Sequence, residues 1–285
     1  MKLLGKVLLA AVAYVFGVVM TGIIATALRV PPIELPFGMS PEKAFLALAM
    51  ASPLLAASVL PVALGLRGSW MKRGLAIGTL LFVSIGVNTA LEGSIFSTIM
   101  SGRGVYIAML ALLPCLFAAV VLTWGKRETA AEISRPSLAA TEWAWRLLVA
   151  WIAFPVIYWC FGSLIAPFVM EYYRSGVGGL RIPPTETIVG MQLVRGVLFL
   201  VATLPIALLW KKSRGAFIVS VGVAYAVAVG VFQLVQGTFL PVFLRVLHSA
   251  EIAADSFAYA AILGFLFITS DETRKNETKT MSASA

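Results

Sequence analysis

Histidine occurs once in this 285-residue chain, cysteine twice, and charged side chains make up only 12% of it. A lone histidine, His248, excludes a bis-histidine haem within one chain and leaves a zinc site without a second ligand cluster. Cys115 and Cys160 each lie inside an apolar run and form no CxxC pair, so they indicate neither a redox couple nor a thiolate metal site. They read as small buried thiols. The chain also lacks a Walker A loop, a GxSxG elbow with partners, HExxH, the paired Asp-rich motif of prenyl transfer and the EExxxR of intramembrane proteases. No metal and no cofactor is expected.

Apolar length is what the chain has in abundance. Hydrophobic residues make up 60% of it, and its mean hydropathy is +0.95. Runs of about 20 apolar residues, enough to cross a hydrocarbon layer about 30 Å thick, recur throughout. The pattern predicts eight spans, at about 7–28, 44–66, 74–99, 104–124, 143–169, 187–210, 215–242 and 253–269. Each should be helical, because a span in lipid must satisfy its own backbone hydrogen bonds. The opening MKLLGKVLLAAVA resembles a signal peptide, but the apolar run continues to Leu28 and reads better as an uncleaved span.

The net charge of +9 could suggest nucleic acid in a soluble chain. Here the Lys and Arg residues gather in short connectors, with no aromatic-interleaved basic patch, so nucleic acid is not expected as a partner. With the N-terminus inside, the inner segments hold fifteen basic residues and the outer ones six, Arg195 being left out because it falls within the sixth span. That bias favours an N-in, C-in arrangement. A bacterial cytoplasmic membrane is the expected location, with the bilayer itself as the principal partner.

One phrase occurs in duplicate. LRVPPIELPFGM (28–39) returns as LRIPPTETIVGM (180–191), 152 residues later, with seven identical positions. LPVAL (60–64) and LPIAL (204–208) follow at 144, Arg73-Gly74 and Arg214-Gly215 at 141, Glu92-Gly93 and Gln236-Gly237 at 144, Phe16-Gly17 and Phe161-Gly162 at 145. Five matches in one order predict a duplicated four-helix unit. Each unit has an even number of spans, so the repeats should be parallel, related by an axis along the membrane normal. The expected fold is an all-α integral membrane protein of eight transmembrane helices in two parallel repeats. Its parts are 1–124, a cytoplasmic linker at 125–141, a second repeat at 142–269 and a disordered cytoplasmic tail at 270–285.

Glu92 is the sharpest single residue. It is expected roughly 7 Å outward of the membrane midplane at 1.5 Å per residue, and an intramembrane acid is a functional candidate by default. Asn88 shares its face one turn back, and the repeat puts Gln236, with Gln233 nearby, at the equivalent place. Together they suggest a polar cavity across the pseudo-axis; interhelical hydrogen-bonding glue is the competing explanation. In FLRVLHSAEIAADSF, the residues Arg245, His248, Glu251 and Asp255 share about a 120° arc of one helix face. They suggest an interfacial helix over the outer mouth, or general acid–base or proton-relay work by His248 and Glu251. Arg29, Glu34, Arg181 and Glu186 come from the duplicated phrase. They suit helix stop and start signals, or two lips of a vestibule that attract an anion.

Small residues at four-residue spacing, Gly222, Ala226 and Gly230, with Ala47/Ala51 and Ser52/Ala56, mark close helix packing. They could also seat a second copy or another subunit. Trp143, Trp145, Tyr158, Trp159, Tyr172 and Tyr173 dress the fifth span, Tyr158 and Trp159 deep enough to line a cavity. Three functions fit. The leading one is a transporter or permease for an unidentified solute, with an outward-facing polar cavity and Glu92 as a possible coupling site for protons. The alternatives are a membrane-embedded enzyme acting on a lipid-linked substrate from outside, and an assembly or signalling subunit without chemistry.

Overall fold

The computed structural model describes residues 2–30, 39–125 and 138–268. Of the described residues, 85% are helical, and among them the only β pairings are two isolated bridges. Eight helices are long and apolar enough to cross a membrane, as in a multi-pass membrane protein. We number them α1 (Leu3–Ala27), α2 (Pro41–Gly65), α3 (Trp70–Phe96), α4 (Gly104–Thr123), α5 (Ala140–Arg174), α6 (Thr185–Leu209), α7 (Arg214–Gln236) and α8 (Val242–Phe267).

Local signals set the ends. Ser40, Ser69 and Ser213 cap the starts of α2, α3 and α7, their hydroxyls accepting from the N–H groups of Lys43, Lys72 and Ala216. The α1 terminus closes on Arg29 in the left-handed region (φ 54°), with Arg29 N–H donating to Thr26 O and Val30 N–H to Ala25 O. Gly176 (φ 70°) does the same after α5. Inside α3 the backbone widens into a π-turn over Phe82–Val87, and inside α7 over Ala226–Val231. Such insertions bend a helix and free backbone groups, and they often sit at functional sites.

The middle of the bundle is α2, α3, α6 and α7. There α2 crosses α7, α3 crosses α6, and the two π-turns touch. Around it, α1 packs on α2 and α4, and α5 packs on α6 and α8. Trp210, Phe217, Tyr225 and Phe232 are the largest fully buried side chains. Two approaches need glycine. Gly17 lets α1 lie against the backbone of Pro114, where a Cβ would come within 2.5 Å of its Cα, and Gly65 lies under the Trp210 ring. The stripe on α7 is taken up inside the chain, with Gly222 against Phe257 and Gly230 against Ile252 of α8.

Several local features recur 144 residues apart. α2 and α6 are each 25 residues long, starting at 41 and 185. The serine caps lie at 69 and 213, and the π-turns at 82–87 and 226–231. At one end of the bundle Leu66 pairs with Trp210. Arg67 N–H donates to Leu209 O (2.9 Å) and Lys211 N–H to Gly65 O (3.0 Å), so each strand returns the other's bond. The duplicated phrase departs from this register. Met39 precedes α2, whereas Met191 lies inside α6, because the second copy turns helical directly after its prolines.

Two helices differ from expectation. α8 begins at Val242, not near 253, so Arg245, His248, Glu251 and Asp255 belong to the span itself instead of to a separate interfacial helix. Pro241 opens it, and pairing of His248 with Glu251 offsets part of the cost of charge in an apolar setting. α5 runs 35 residues, well beyond 143–169, and carries Tyr173 at its far end.

Candidate functional site

The ends of α3 and α5 meet the starts of α6 and α8, and polar side chains from all four helices converge there. Glu92 lies four residues from the end of α3, and Asn88 one turn before it, directly after the π-turn. Both face Arg195 of α6. The guanidinium Nη2 lies 2.9 Å from Glu92 Oε1. Its Nε donates to Asn88 Oδ1 (2.8 Å) and its Nη1 to Gln192 Oε1 (3.1 Å). Asn88 Nδ2 in turn donates to Glu92 Oε2 (3.1 Å), which ties the four side chains into one network. Asn88 and Gln192 are buried, and the Arg195 side chain is 6% exposed against 34% for Glu92. The cation also sits over the rings of Phe154 (5.2 Å), Tyr158 (5.8 Å) and Phe199 (5.8 Å), which hold it by cation–π attraction. The carboxylate of Glu92 therefore has its counter-charge within the chain.

A second set lies on α8. His248 Nδ1 is 2.8 Å from Glu251 Oε2, and His248 Nε2 is 3.2 Å from the Tyr173 hydroxyl of α5. A hydroxyl donating to Nε2 makes Nδ1 the protonated nitrogen, donating to the carboxylate. Asp255, one turn beyond Glu251, has Oδ1 buried without a hydrogen-bond partner. It lies within electrostatic reach of Glu251, Arg195 and Glu92, and Tyr158 feels the same four charged groups, so the two sets form one polar cluster. Among the described residues, no three of His, Cys, Asp and Glu stand where they could hold a metal ion.

The other candidates do different things. Gln236 Nε2 donates to Phe232 O of its own helix (2.9 Å), and Gln233 is half-buried beside it. Arg245 Nη1 reaches Leu234 O (3.4 Å), near the end of α7, instead of an acid on its own helix. Arg181 is exposed but engaged: Nε donates to Ile95 O (2.7 Å), Nη2 to Ser94 O (2.8 Å), and its N–H to Phe96 O (2.9 Å). It closes the end of α3 beside the Ser97–Leu180 bridge. Arg29 is exposed at the α1 terminus, Glu186 is exposed in the first turn of α6, and Glu34 lies outside the described residues.

Arg195 and Gln192 were not among the candidates drawn from the sequence. The signal for Arg195 was present, since a cation in a span is as costly as an acid; its partner stands 103 residues away on another helix. No family model, curated protein or solved structure matches the chain.

Proposed function

We propose that the chain is a permease-like transporter. In this proposal it is built from two parallel four-helix repeats with both termini on the cytoplasmic face, and solute moves between the halves past the Arg195–Glu92 network. The repeat is supported by the 144-residue recurrence of helix starts, caps and π-turns and by the reciprocal pairing of Leu66 with Trp210. The orientation is supported by the basic residues at the Leu66–Trp210 end. There Lys6, Arg73, Arg146 and Arg214 donate to carbonyls at the C-terminal ends of α4 and α8.

One observation carries the functional reading. The two central helices α3 and α7 are each broken by a π-turn at the level where they touch, and a buried charged network bridges α3 to α6 just beyond the break. A static scaffold gains little from buried charge, whereas a moving crossing needs both a hinge and contacts that can be exchanged. The enzyme alternative has weaker support, because both ring nitrogens of His248 are already engaged.

Ser84 tests the proposal. It is fully buried in the α3 π-turn, and its hydroxyl has no partner. On a background of Cys115→Ser and Cys160→Ser, Ser84→Cys should react in membranes with an impermeant thiol reagent, because opening of the halves exposes it. If the introduced thiol reacts only after denaturation, transport along this path is refuted.

A further inference from the structure

We propose that Tyr173, His248, Glu251 and Asp255 form a proton relay leading from one end of the bundle to its middle, with Asp255, half-buried with one buried carboxyl oxygen, as the group that holds the proton. It draws on the transporter proposal only for the use made of the proton.

The four residues are ordered along the bundle from its end to its middle. Tyr173 lies next to the end of α5. His248 is six residues into α8 with a side chain 20% exposed, and Glu251 follows at 7%. Asp255 stands at the middle of the 26-residue helix, about 10 Å further along the axis than His248 at 1.5 Å per residue. The first two steps are hydrogen bonds already made, Tyr173 to His248 at 3.2 Å and His248 to Glu251 at 2.8 Å. The last joins two carboxyl groups one turn apart on one helix face.

Oδ1 of Asp255 has no donor. Among the described residues the one fixed cation in reach, Arg195, has all three nitrogens engaged by Glu92, Asn88 and Gln192. Three carboxyl groups thus lie near one guanidinium, Glu92 bonded to it and Glu251 to His248, which leaves Asp255 without a partner of its own. An orphaned carboxylate oxygen there is costly, and a proton removes the cost. The groups facing this region are Tyr158 and Tyr173 from α5, Glu92 from α3, Arg195 from α6 and Tyr225 from α7, with His248, Glu251 and Tyr259 on α8 itself. None of them adds a second fixed positive charge.

The transfer balances simply. Tyr173 gives its hydroxyl proton to Nε2 and regains one from solvent. The imidazolium releases its Nδ1 proton to Glu251 Oε2, and Glu251 passes a proton to Asp255 as its side chain turns. One proton enters, one is held, and return flow restores the imidazole tautomer.

Infrared difference spectroscopy of the full-length protein in lipid tests this without any transported solute. The wild type should show a protonated-carboxyl C=O band at neutral pH that shifts in heavy water. Asp255→Asn should remove the band, and Glu92→Gln should keep it. His248→Ala should keep the band but slow its hydrogen–deuterium exchange by roughly a hundredfold, the scale of a lost proton-transfer group. Circular dichroism and gel filtration establish that each variant is folded. A band that survives Asp255→Asn, or exchange at the wild-type rate in His248→Ala, overturns the relay. Ser84→Cys inertness with these spectra intact would instead remove transport and leave the relay standing.

Discussion

Replacing Arg195 with methionine keeps much of the length of the side chain and removes its charge. Two magnitudes compete. If the network is ordinary interhelical glue, each bond is worth about 0.6 kcal/mol on average. If the governing term is the buried charge left behind, the loss is about 3–5 kcal/mol. Arg195 neutralises Glu92 at 2.9 Å and satisfies acceptors on Asn88 and Gln192, so its removal orphans three groups together. The second term wins. Glu92 is 34% exposed, which places the expected loss near the lower bound, about 3 kcal/mol.

For a chain of this size, about 3 kcal/mol corresponds to a fall of roughly 6–12 °C in Tm, read by thermal unfolding of purified protein in detergent. The partner change supplies the control. Arg195→Met combined with Glu92→Met removes both charges and should recover about 2 kcal/mol of the loss, because no uncompensated ion remains. A single variant within about 0.6 kcal/mol of wild type, or a double variant less stable than Arg195→Met, would refute the reasoning.

Glycine spacing on α1 gives a second test. Gly17→Ala should cost about 1–3 kcal/mol, since its Cβ meets the Pro114 backbone, which has little room to yield. Gly22→Ala, with nothing within 4 Å, should stay within about 1 kcal/mol of wild type in the same assay. At the end of α3, Arg181→Ala should leave the bundle folded but speed amide hydrogen exchange over residues 94–98, because the carbonyls of Ser94 and Ile95 lose their donor. Unchanged exchange there would mean that the Ser97–Leu180 bridge holds this end by itself.

Span number was legible because a run of apolar residues is a direct statement about length and solvent. Boundaries were legible where the apolar run itself stopped, as at the end of α2 (expected at 66, found at Gly65) and the start of α7 (expected at 215, found at Arg214). They were misjudged at α8, where the charges of Arg245, His248 and Glu251 fell before the expected start near 253; the bond of His248 to Tyr173 and the nearness of Arg195 to Asp255 come from other helices and leave no trace in the local pattern. The π-turns were invisible for a related reason. Phe82–Val87 and Ala226–Val231 are apolar stretches like their neighbours, and the contact between them comes from helices far apart in the chain. Glu92 stood out as a lone acid. Its counter-ion, Arg195, is a lone cation in the sixth span, and only the fold brings the two together.

At 35 residues and 1.5 Å each, α5 is about 52 Å long, against a hydrocarbon layer of about 30 Å. Lipid can meet that excess only through tilt, local thickening or protrusion. One of its two ends carries Tyr173, which hydrogen-bonds to His248. A change of bilayer thickness that tilts this helix therefore acts on that bond from outside the protein, which makes thickness a physical input to the first step of the proposed relay.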